Sequence, residues 1–281
     1  MAFVSPVAVN FHINKACNAH CSFCFATFRD VRGQSQTHVA LGVIDALADA
    51  GCQKLNFAGG EPTLRKDLGK LIRHAKSRGL VTSIVTNGFR LDELLDEHSE
   101  ALDWVGLSVD SSQEKVQQGL GRGDGTHVAN SIRLADRCRE HGVRVKLNSV
   151  VTALSWDEDM SVLVRRILPE RWKAFQVLPM AGQNDGCVEE LLISPEQFDA
   201  FVERHSGLAV EGLSPVVEDN DAMRGSYVMV DPIGRFFGNA TGRHVYSEPI
   251  LEVGVETALA QVGFVHAKFE ARGGLYSWGA K

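Results

Sequence analysis

The segment VAVNFHINKACNAHCSFCF, residues 7–25, decides the fold. Its first seven residues carry apolar side chains at every second position, which predicts a β-strand. Directly after this strand come Cys17, Cys21 and Cys24, in the spacing Cys-x3-Cys-x2-Cys. Three thiolates on one short loop can hold three irons of a four-iron cluster and leave the fourth iron open. The segment therefore predicts a strand whose following loop holds an iron–sulfur cluster.

A zinc site completed by His12 or His20 is the alternative interpretation of this triplet. Structural zinc sites usually combine paired Cys-x2-Cys knuckles, and the sequence has one tight triplet without a second pair. The remaining cysteines are scattered, and we expect them to be small buried apolar residues: Cys52, Cys138 and Cys187. A disulfide framework is typical of small secreted domains, which a chain of 281 residues is not.

Beyond the triplet, short apolar runs alternate with helical patterns to about residue 205. Strands are predicted at residues 7–13, 54–58, 81–86, 104–109, 143–151 and 172–178. Helices are predicted near residues 38–50, 67–78, 91–99, 126–141, 157–168 and 195–206. Six β–α units in series predict a parallel sheet, either a partial barrel or a doubly wound sheet. Both place the active site at the carboxyl ends of the strands.

After residue 210 the pattern changes. Residues 226–239 predict a hairpin that turns at 232–234, and a helix is expected near 255–263. We interpret residues 1–209 as the main α/β unit and residues 210–281 as an extension packed on it.

Composition and charge narrow the class of protein. The chain is 44% hydrophobic and 23% charged, which is ordinary for a soluble globular protein, and its net charge is −6. No general basic field attracts it to nucleic acid. The sequence has no 18-residue apolar run, secretory leader or amphipathic N-terminal helix, so we expect a cytoplasmic protein without a membrane partner.

Two motifs follow predicted strands, and a third lies in a glycine-rich segment after a loop. In NFAGGEP, Gly59 and Gly60 would let a ligand approach the backbone, and the Glu61 carboxylate could accept hydrogen bonds from an ammonium. At the end of the fourth strand, Ser108 and Asp110 would face the pocket mouth. Arg122 lies among glycines, where it could grip a carboxylate. The alternatives are an ordinary turn, a helix-capping serine and a solvated arginine.

Predicted core strands also carry cations. Lys146 and Asn148 share one face of their strand, as do Arg171 and Lys173, and Lys54 begins another strand. Buried lysines need partners, so these side chains predict a small polyanionic ligand such as a triphosphate. The alternative is that some of them point outward into salt bridges.

With its cysteine triplet after the first strand, the sequence resembles the radical S-adenosylmethionine (SAM) superfamily, in which an aromatic residue such as Phe23 typically precedes the third cysteine. The resemblance implies a partial (β/α)6 barrel, with a hairpin and short helices in the C-terminal extension. It implies a 4Fe–4S cluster on Cys17, Cys21 and Cys24. It also implies SAM contacts from Phe23, Gly59, Gly60, Glu61, Ser108 and Arg122.

Within the superfamily, nearly the whole chain resembles the viperin family of antiviral enzymes. The segments that carry this resemblance are NFHINKACNAHCSFCF, KLNFAGGEP, SIVTNG, KLNSVV, RWKAFQVL, MRGSYVMVD, ILEVGVETAL and RGGLYSW. The implied reaction abstracts the C4′ hydrogen of a ribonucleoside triphosphate. Loss of the 3′-hydroxyl as water, with one electron and one proton, then gives a 3′-deoxy-3′,4′-didehydro nucleotide that can terminate a viral polymerase chain.

The same resemblance implies roles for individual residues. The substrate would be bound by Asn10, Lys54, Lys146, Asn148, Arg171 and Lys173. Tyr227 would give a proton to the departing hydroxyl, while Arg243 and His244 lie in the segment expected to read the base, under a C-terminal extension that covers the nucleotide. The implied partner is an electron donor such as a flavodoxin or a ferredoxin.

Departures from the animal proteins leave the base open, with CTP preferred and UTP or GTP as alternatives. Ala58 replaces a serine, His244 replaces a lysine, and the chain has neither the N-terminal amphipathic helix nor, after residues 279–281, the tail used in cluster delivery. Two other hypotheses remain. One is a radical SAM enzyme of cofactor maturation or peptide modification, and the other is a non-enzymatic metal-binding sensor.

Overall fold

A computed structural model describes residues 5–278 as a mixed α/β structure. Its strands are β1 (Ala8–His12), β2 (Lys54–Ala58), β3 (Val81–Thr86), β4 (Trp104–Ser108), β5 (Arg144–Val151), β6 (Arg171–Gln176), β7 (Pro215–Glu218), β8 (Val228–Val230), β9 (Arg235–Gly238) and β10 (Val245–Pro249). Its helices are α1 (Thr37–Asp49), α2 (Leu68–Ser77), α3 (Leu91–His98), α4 (Glu114–Gly119), α5 (His127–Glu140), α6 (Ser161–Ile167), α7 (Pro195–Arg204), α8 (Asn220–Met223), α9 (Ile250–Val253), α10 (Val255–Ala260) and α11 (His266–Ala271).

All ten strands form one sheet, in the order β10-β9-β8-β1-β2-β3-β4-β5-β6-β7. Strands β1 to β7 pair in parallel, in chain order, and β8 pairs in parallel with β1. Helices connect the first six strands, so the predicted series of six β–α units is confirmed. The predicted hairpin is also confirmed as β8 and β9, which pair antiparallel.

The sheet rolls into an open barrel. Lys173 on β6 contacts Tyr227, which directly precedes β8, although β1 to β5 separate these two strands in the sheet order. Such a contact requires the concave face to curl until its two ends face each other. The side chains that project from this face therefore meet in one interior space.

The opposite face of the sheet is the apolar core. Helix α1 buries Ala40, Val43, Ile44 and Leu47, the three-and-four-residue spacing of a one-sided helix. Burial of each of the larger side chains, Val43, Ile44 and Leu47, contributes at most about 1.5–3 kcal/mol. Alternation along β5 and β6 places their apolar side chains Val145, Leu147, Trp172 and Ala174 in this core. The side chains between them project from the concave face: Lys146, Asn148, Arg171 and Lys173.

Four features differ from the sequence-based expectations. Helix α6 begins at Ser161 rather than near 157, because the Asp159 carboxylate accepts the Ser161 backbone N–H in a turn before it. Strand β7 was not predicted, since its four residues begin with proline and give little periodic signal. Cys52 and Cys138 are buried in the core as expected, but Cys187 is exposed.

The fourth feature is that the C-terminal extension adds strands to both edges of the sheet instead of only packing on it. The division of the chain into residues 1–209 and 210–281 stays a prediction, and the two ends of the chain lie outside the described residues. The interpretation of residues 279–281 also falls outside them. Within residues 5–278, none of the helices combines the length and apolar composition needed to cross a lipid bilayer.

Candidate active site on the concave face

The cysteine loop leaves the carboxyl end of β1 and lies directly against the end of β2. Gly60 N–H donates to the Asn14 carbonyl at 2.9 Å, and Glu61 N–H donates to the Ala16 carbonyl at 2.7 Å. A Cβ on Gly60 would overlap the Lys15 and Ala16 carbonyl oxygens, and one on Gly59 would overlap Asn14. The glycines therefore admit the chain's own cysteine loop, whereas the sequence suggested only that they admit a ligand.

A second glycine segment supports the other side of the loop. His20 N–H donates to the Gly121 carbonyl at 2.9 Å, and Ser22 N–H donates to the Leu120 carbonyl at 3.1 Å. Gly121 has φ of +83°, and a Cβ there would overlap the His20 carbonyl oxygen. This glycine-rich segment is thus fixed by packing rather than flexible.

The three cysteines of this loop carry free thiols, none of which forms a disulfide. Burial raises the pKa of Cys21 to about 11, so this thiol keeps its proton until a metal ion displaces it. Among residues 5–278, no three His, Cys, Asp or Glu side chains converge closely enough to hold a single metal ion. In a four-iron cluster each thiolate binds a different iron, so this donor set fits that group.

Glu61 connects the loops that follow β2 and β3. Its carboxylate is 1% exposed and accepts hydrogen bonds from Thr63 and Thr86 through one oxygen, and from the Asn87 N–H through the other. This side chain therefore ties the β2 loop to the β3 loop, and its predicted contact with an ammonium stays a prediction. Beside Gly59, the buried Asn14 Oδ1 has no hydrogen-bond partner among residues 5–278 and offers a further acceptor.

Arg122 lies beside the cysteines with its side chain only 11% exposed, which excludes a solvated surface arginine. Its Nε donates to the Asp110 carboxylate at 2.7 Å, and its guanidinium lies 5.7 Å from the Phe23 ring centroid. Burial alone would lower the pKa of Arg122, but Asp110 raises it, so the side chain stays charged. Phe23 packs with Leu120 and Val177 in a small apolar cluster under the loop.

We expect Asp110→Asn to lower the free energy of unfolding by about 3 kcal/mol, because it leaves the buried Arg122 charge uncompensated. Urea unfolding followed by far-UV circular dichroism measures this change. The control is Asp92→Asn, which removes an exposed ion pair with Arg133 and should cost less than about 1 kcal/mol. Equal losses in the two variants would contradict a dominant role for the buried pair.

Polar side chains line the centre of the concave face. Strand pairing places Ser108 beside Asn148, and Asn10 beside Asn56, whose Nδ2 donates to the Asn10 Oδ1 at 3.0 Å. Asn148 Nδ2 lies over Gly106, where a Cβ would be 3.0 Å away. The small residue at 106 thus leaves space between the cysteine loop and the cations below it.

Toward the amino ends of the strands, the predicted cations come together. Lys54 and Lys146 both donate to the hydroxyl of Tyr276, at 2.6 Å from Lys54. Arg171 lies with its guanidinium carbon 4.1 Å from the Tyr276 ring centroid and donates to the Gly273 carbonyl at 2.7 Å. The C-terminal tail therefore crosses the concave face at the cationic group, and these side chains point inward as predicted.

These cations are crowded and largely removed from water. Burial lowers the pKa of Lys54 to about 8. Burial, and then the Lys54 charge, lower the pKa of Lys146 well below its ordinary value. Each of these cations disfavours the charged form of its neighbours, and a bound anion would favour those charged forms again. The group is electrostatically prepared for a multivalent anion.

A second part of the cationic group surrounds Tyr227. Lys173 donates to the Tyr227 hydroxyl at 2.8 Å, and the Arg272 guanidinium carbon lies 3.7 Å from the Tyr227 ring centroid. Glu218 contacts Lys173, Tyr227 and Arg272. Burial raises the pKa of Tyr227 well above its ordinary value, so the phenol stays protonated.

The structure separates the two residues expected to read the base. Arg243 is exposed, and its backbone forms a bridge with Ala181. His244 is buried against Phe28 and Phe237, and burial lowers its pKa to about 4. Base recognition by these residues stays a prediction.

Sequence reasoning placed Asp110 at the pocket mouth without pairing it with Arg122. It missed three residues around the cations: Glu218, Arg272 and Tyr276. The signal for Tyr276 and Arg272 was their place in RGGLYSW, a segment singled out for its resemblance alone. Glu218 gave no sequence signal, because one carboxylate at the end of a short strand is usually solvated.

Comparisons with known proteins agree with this geometry. The Radical SAM superfamily matches residues 12–166. The chain is 42% identical to the S-adenosylmethionine-dependent nucleotide dehydratase of Flammeovirga pacifica, over 96% of this chain and 96% of that protein. It is 43% identical to the protein of the same name from Lacinutrix mariniflava, over 96% of this chain and 58% of that one. In fold it is similar to anSMEcpe with bound AdoMet and peptide, with a TM-score of 0.71, 16% identity, and coverage of 93% and 83%.

Proposed function

Because the chain belongs to the radical SAM superfamily and, within it, to the family of the S-adenosylmethionine-dependent nucleotide dehydratases, we propose that it dehydrates a ribonucleoside triphosphate. The product would be the 3′-deoxy-3′,4′-didehydro nucleotide. CTP is the first substrate to test, with UTP and GTP as the alternatives. A product without a 3′-hydroxyl cannot be extended by a polymerase, which fits a role in antiviral defence.

The cationic group of the concave face carries this proposal. Its members come from three strands and the C-terminal tail of a protein with net charge −6: Lys54, Lys146, Arg171, Lys173 and Arg272. A triphosphate supplies several anionic oxygens that can accept from these donors together. Below the cysteine loop, such a ligand would place its ribose near Asn10, Ser108 and Asn148.

The cofactors are a 4Fe–4S cluster and SAM, and the residues of the loop fit both. When bound, they supply the 5′-deoxyadenosyl radical that takes the C4′ hydrogen. Cys17, Cys21 and Cys24 would hold the cluster. Phe23, Gly59, Gly60, Ser108 and Arg122 would shape the SAM site, with Glu61 fixing its walls and the Arg122 guanidinium facing the methionine carboxylate.

The chain's own residues govern the second half of the reaction, in which the 3′-hydroxyl leaves as water. This step consumes one proton and one electron, and Tyr227 is the proposed proton donor. Its phenol lies between Lys173 and Glu218, under Arg272, and the two cations would stabilise the phenolate that forms. The electron would come from a partner such as a flavodoxin or a ferredoxin. A cytoplasmic location would keep the ligand thiols reduced.

We expect the apparent affinity for the triphosphate to fall by about tenfold or more between pH 7 and pH 9.5, because only protonated lysines attract phosphate. Burial lowers the pKa of both Lys54 and Lys173 to about 8 in the free protein, so binding above pH 8 requires proton uptake. Below pH 7 these lysines are already charged, and the affinity should level off. The KM of the nucleotide measured across this range tests the prediction, and nucleotide-independent SAM cleavage over the same range is the control.

Anaerobic incubation with SAM, dithionite and each of the four ribonucleoside triphosphates tests the function. We expect one nucleotide to raise 5′-deoxyadenosine formation and to yield a product that is lighter by one water. If none does so while slow SAM cleavage persists, the substrate proposal is wrong and the family assignment stands. A peptide or cofactor-modifying enzyme would give this second result, and a metal-binding sensor would cleave no SAM.

A further inference from the structure

Glu218 is a buried carboxylate to which the proposed reaction assigns no role. It is the last residue of β7, and its side chain is fully buried. Pairing of β6 with β7 places it beside Phe175, on the face from which Lys173 also projects. A carboxylate removed from water is costly unless cations and hydrogen-bond donors satisfy it, so its partners indicate its purpose.

Three groups satisfy this carboxylate. Its Oε1 contacts the Lys173 Nζ and lies 3.3 Å from the Arg272 Nη1, and its Oε2 accepts a hydrogen bond from the Tyr227 hydroxyl. Lys173 also donates to the Tyr227 oxygen at 2.8 Å. Lys173, Tyr227 and Glu218 therefore form a closed triangle of contacts at one end of the cationic group.

Chemistry fixes the direction of each hydrogen bond in this triangle. An ammonium can only donate and an ionised carboxylate can only accept. Burial opposes ionisation of Glu218, but Lys173 and Arg272 hold its pKa below its usual value. The phenol must then accept from Lys173 and donate to Glu218, which aligns the three groups as one chain for proton transfer.

The Glu218 carboxylate would also keep Lys173 beside Tyr227 when the substrate binds. A bound triphosphate attracts Lys173, and a lysine drawn toward phosphate would leave the phenol oxygen. Glu218 holds the ammonium through Oε1 and the phenol through Oε2, so both stay in contact while the anion binds. A neutral residue at this position would lack this hold on Lys173.

We propose, on the premise of the function proposed above, that Glu218 is the positioning residue of the dehydration step and keeps Lys173 and Tyr227 joined as a proton-transfer chain. In that step the Tyr227 hydroxyl turns its hydrogen from Glu218 toward the 3′-oxygen, and the Tyr227 O–H bond breaks as a new O–H bond forms on that oxygen. The C3′–O bond then breaks, and water leaves. Lys173 returns one proton to the phenolate and becomes neutral, to be reprotonated from solvent after turnover. The reductant that starts the reaction supplies the one electron that completes the product.

The test uses the ratio of didehydro product to 5′-deoxyadenosine, because hydrogen abstraction precedes the dehydration step. In Glu218→Gln we expect this ratio to fall by about tenfold or more, while the nucleotide KM changes by less than about threefold. The expected fall is smaller than the loss of about 100-fold or more that removal of the proton donor itself would cause. Glu252→Gln, an exposed carboxylate on α9, is the control and should keep the wild-type ratio. A purely structural role would lower both products together.

Two further variants keep the proposal falsifiable. Glu218→Asp retains the charge and draws the carboxylate back by one methylene, so it should fold and give an intermediate ratio. The double variant Glu218→Gln/Tyr227→Phe should be no worse than the poorer single variant, since the two residues act as a unit. A wild-type ratio in folded Glu218→Asp and Glu218→Gln would overturn the role of Glu218. Absence of any nucleotide product in the wild type would instead overturn the proposed function.

Discussion

Replacement of Cys24 by alanine is expected to reduce SAM cleavage to the background of the assay. With one of three thiolates missing, the loop cannot hold three irons of the cluster, and the electron for SAM cleavage has no route to the site. The loop itself should keep its conformation. Its backbone hydrogen bonds to residues 120–121 and to Gly60 and Glu61 do not involve the Cys24 side chain.

The measurements are iron and sulfide content after anaerobic reconstitution, visible absorbance, and 5′-deoxyadenosine formed with dithionite. Cys187→Ala is the matched control, because Cys187 is exposed and lies outside the loop. It should keep the wild-type iron content and activity. A Cys24→Ala protein that retained a full complement of iron and cleaved SAM would contradict the assignment of the triplet.

Lys146→Met is expected to raise the KM of the triphosphate by about 100-fold, equivalent to roughly 3 kcal/mol for loss of a buried charge contact. Lys146 lies on β5 beside Arg171 of β6 and shares the Tyr276 hydroxyl with Lys54. Methionine fills a similar volume without the charge, so it relieves the repulsion between Lys146 and Lys54 and should not weaken the fold. The expected rise in KM therefore reflects weaker binding of the triphosphate and not a weakened fold.

Steady-state kinetics with the preferred nucleotide and its monophosphate measure this effect. The monophosphate should be a poor substrate for the wild type, because fewer phosphate oxygens reach the cations. For the same reason, its KM should rise much less than that of the triphosphate when Lys146 is replaced. Lys115→Met, at an exposed position on α4, is the control and should leave the KM unchanged. An unchanged KM for the triphosphate in Lys146→Met would place the phosphates elsewhere.

Local patterns in the sequence determined the framework of this protein. The triplet Cys17, Cys21 and Cys24 is a property of one loop, and alternation of apolar runs with helical patterns specified the six β–α units. Alternation along β5 and β6 also gave the face of Lys146 and Lys173 correctly, because side chains on a strand point to opposite faces at every step. Each of these signals is local, so no knowledge of distant contacts was needed.

Tertiary structure decided which groups meet. The curl of the sheet brings Tyr227 to Lys173 and Glu218, and the crossing tail brings Tyr276 to Lys54 and Lys146. No periodicity specifies how far a sheet curls or where a tail crosses it, because both depend on packing summed over the whole barrel. The protein contacts of Glu61 were missed for the same reason, because its carboxylate accepts from Thr86 and Asn87, which lie on another strand and its loop. The sequence alone thus determined the chemistry that each strand carries, and only the rolled sheet determined how those groups combine.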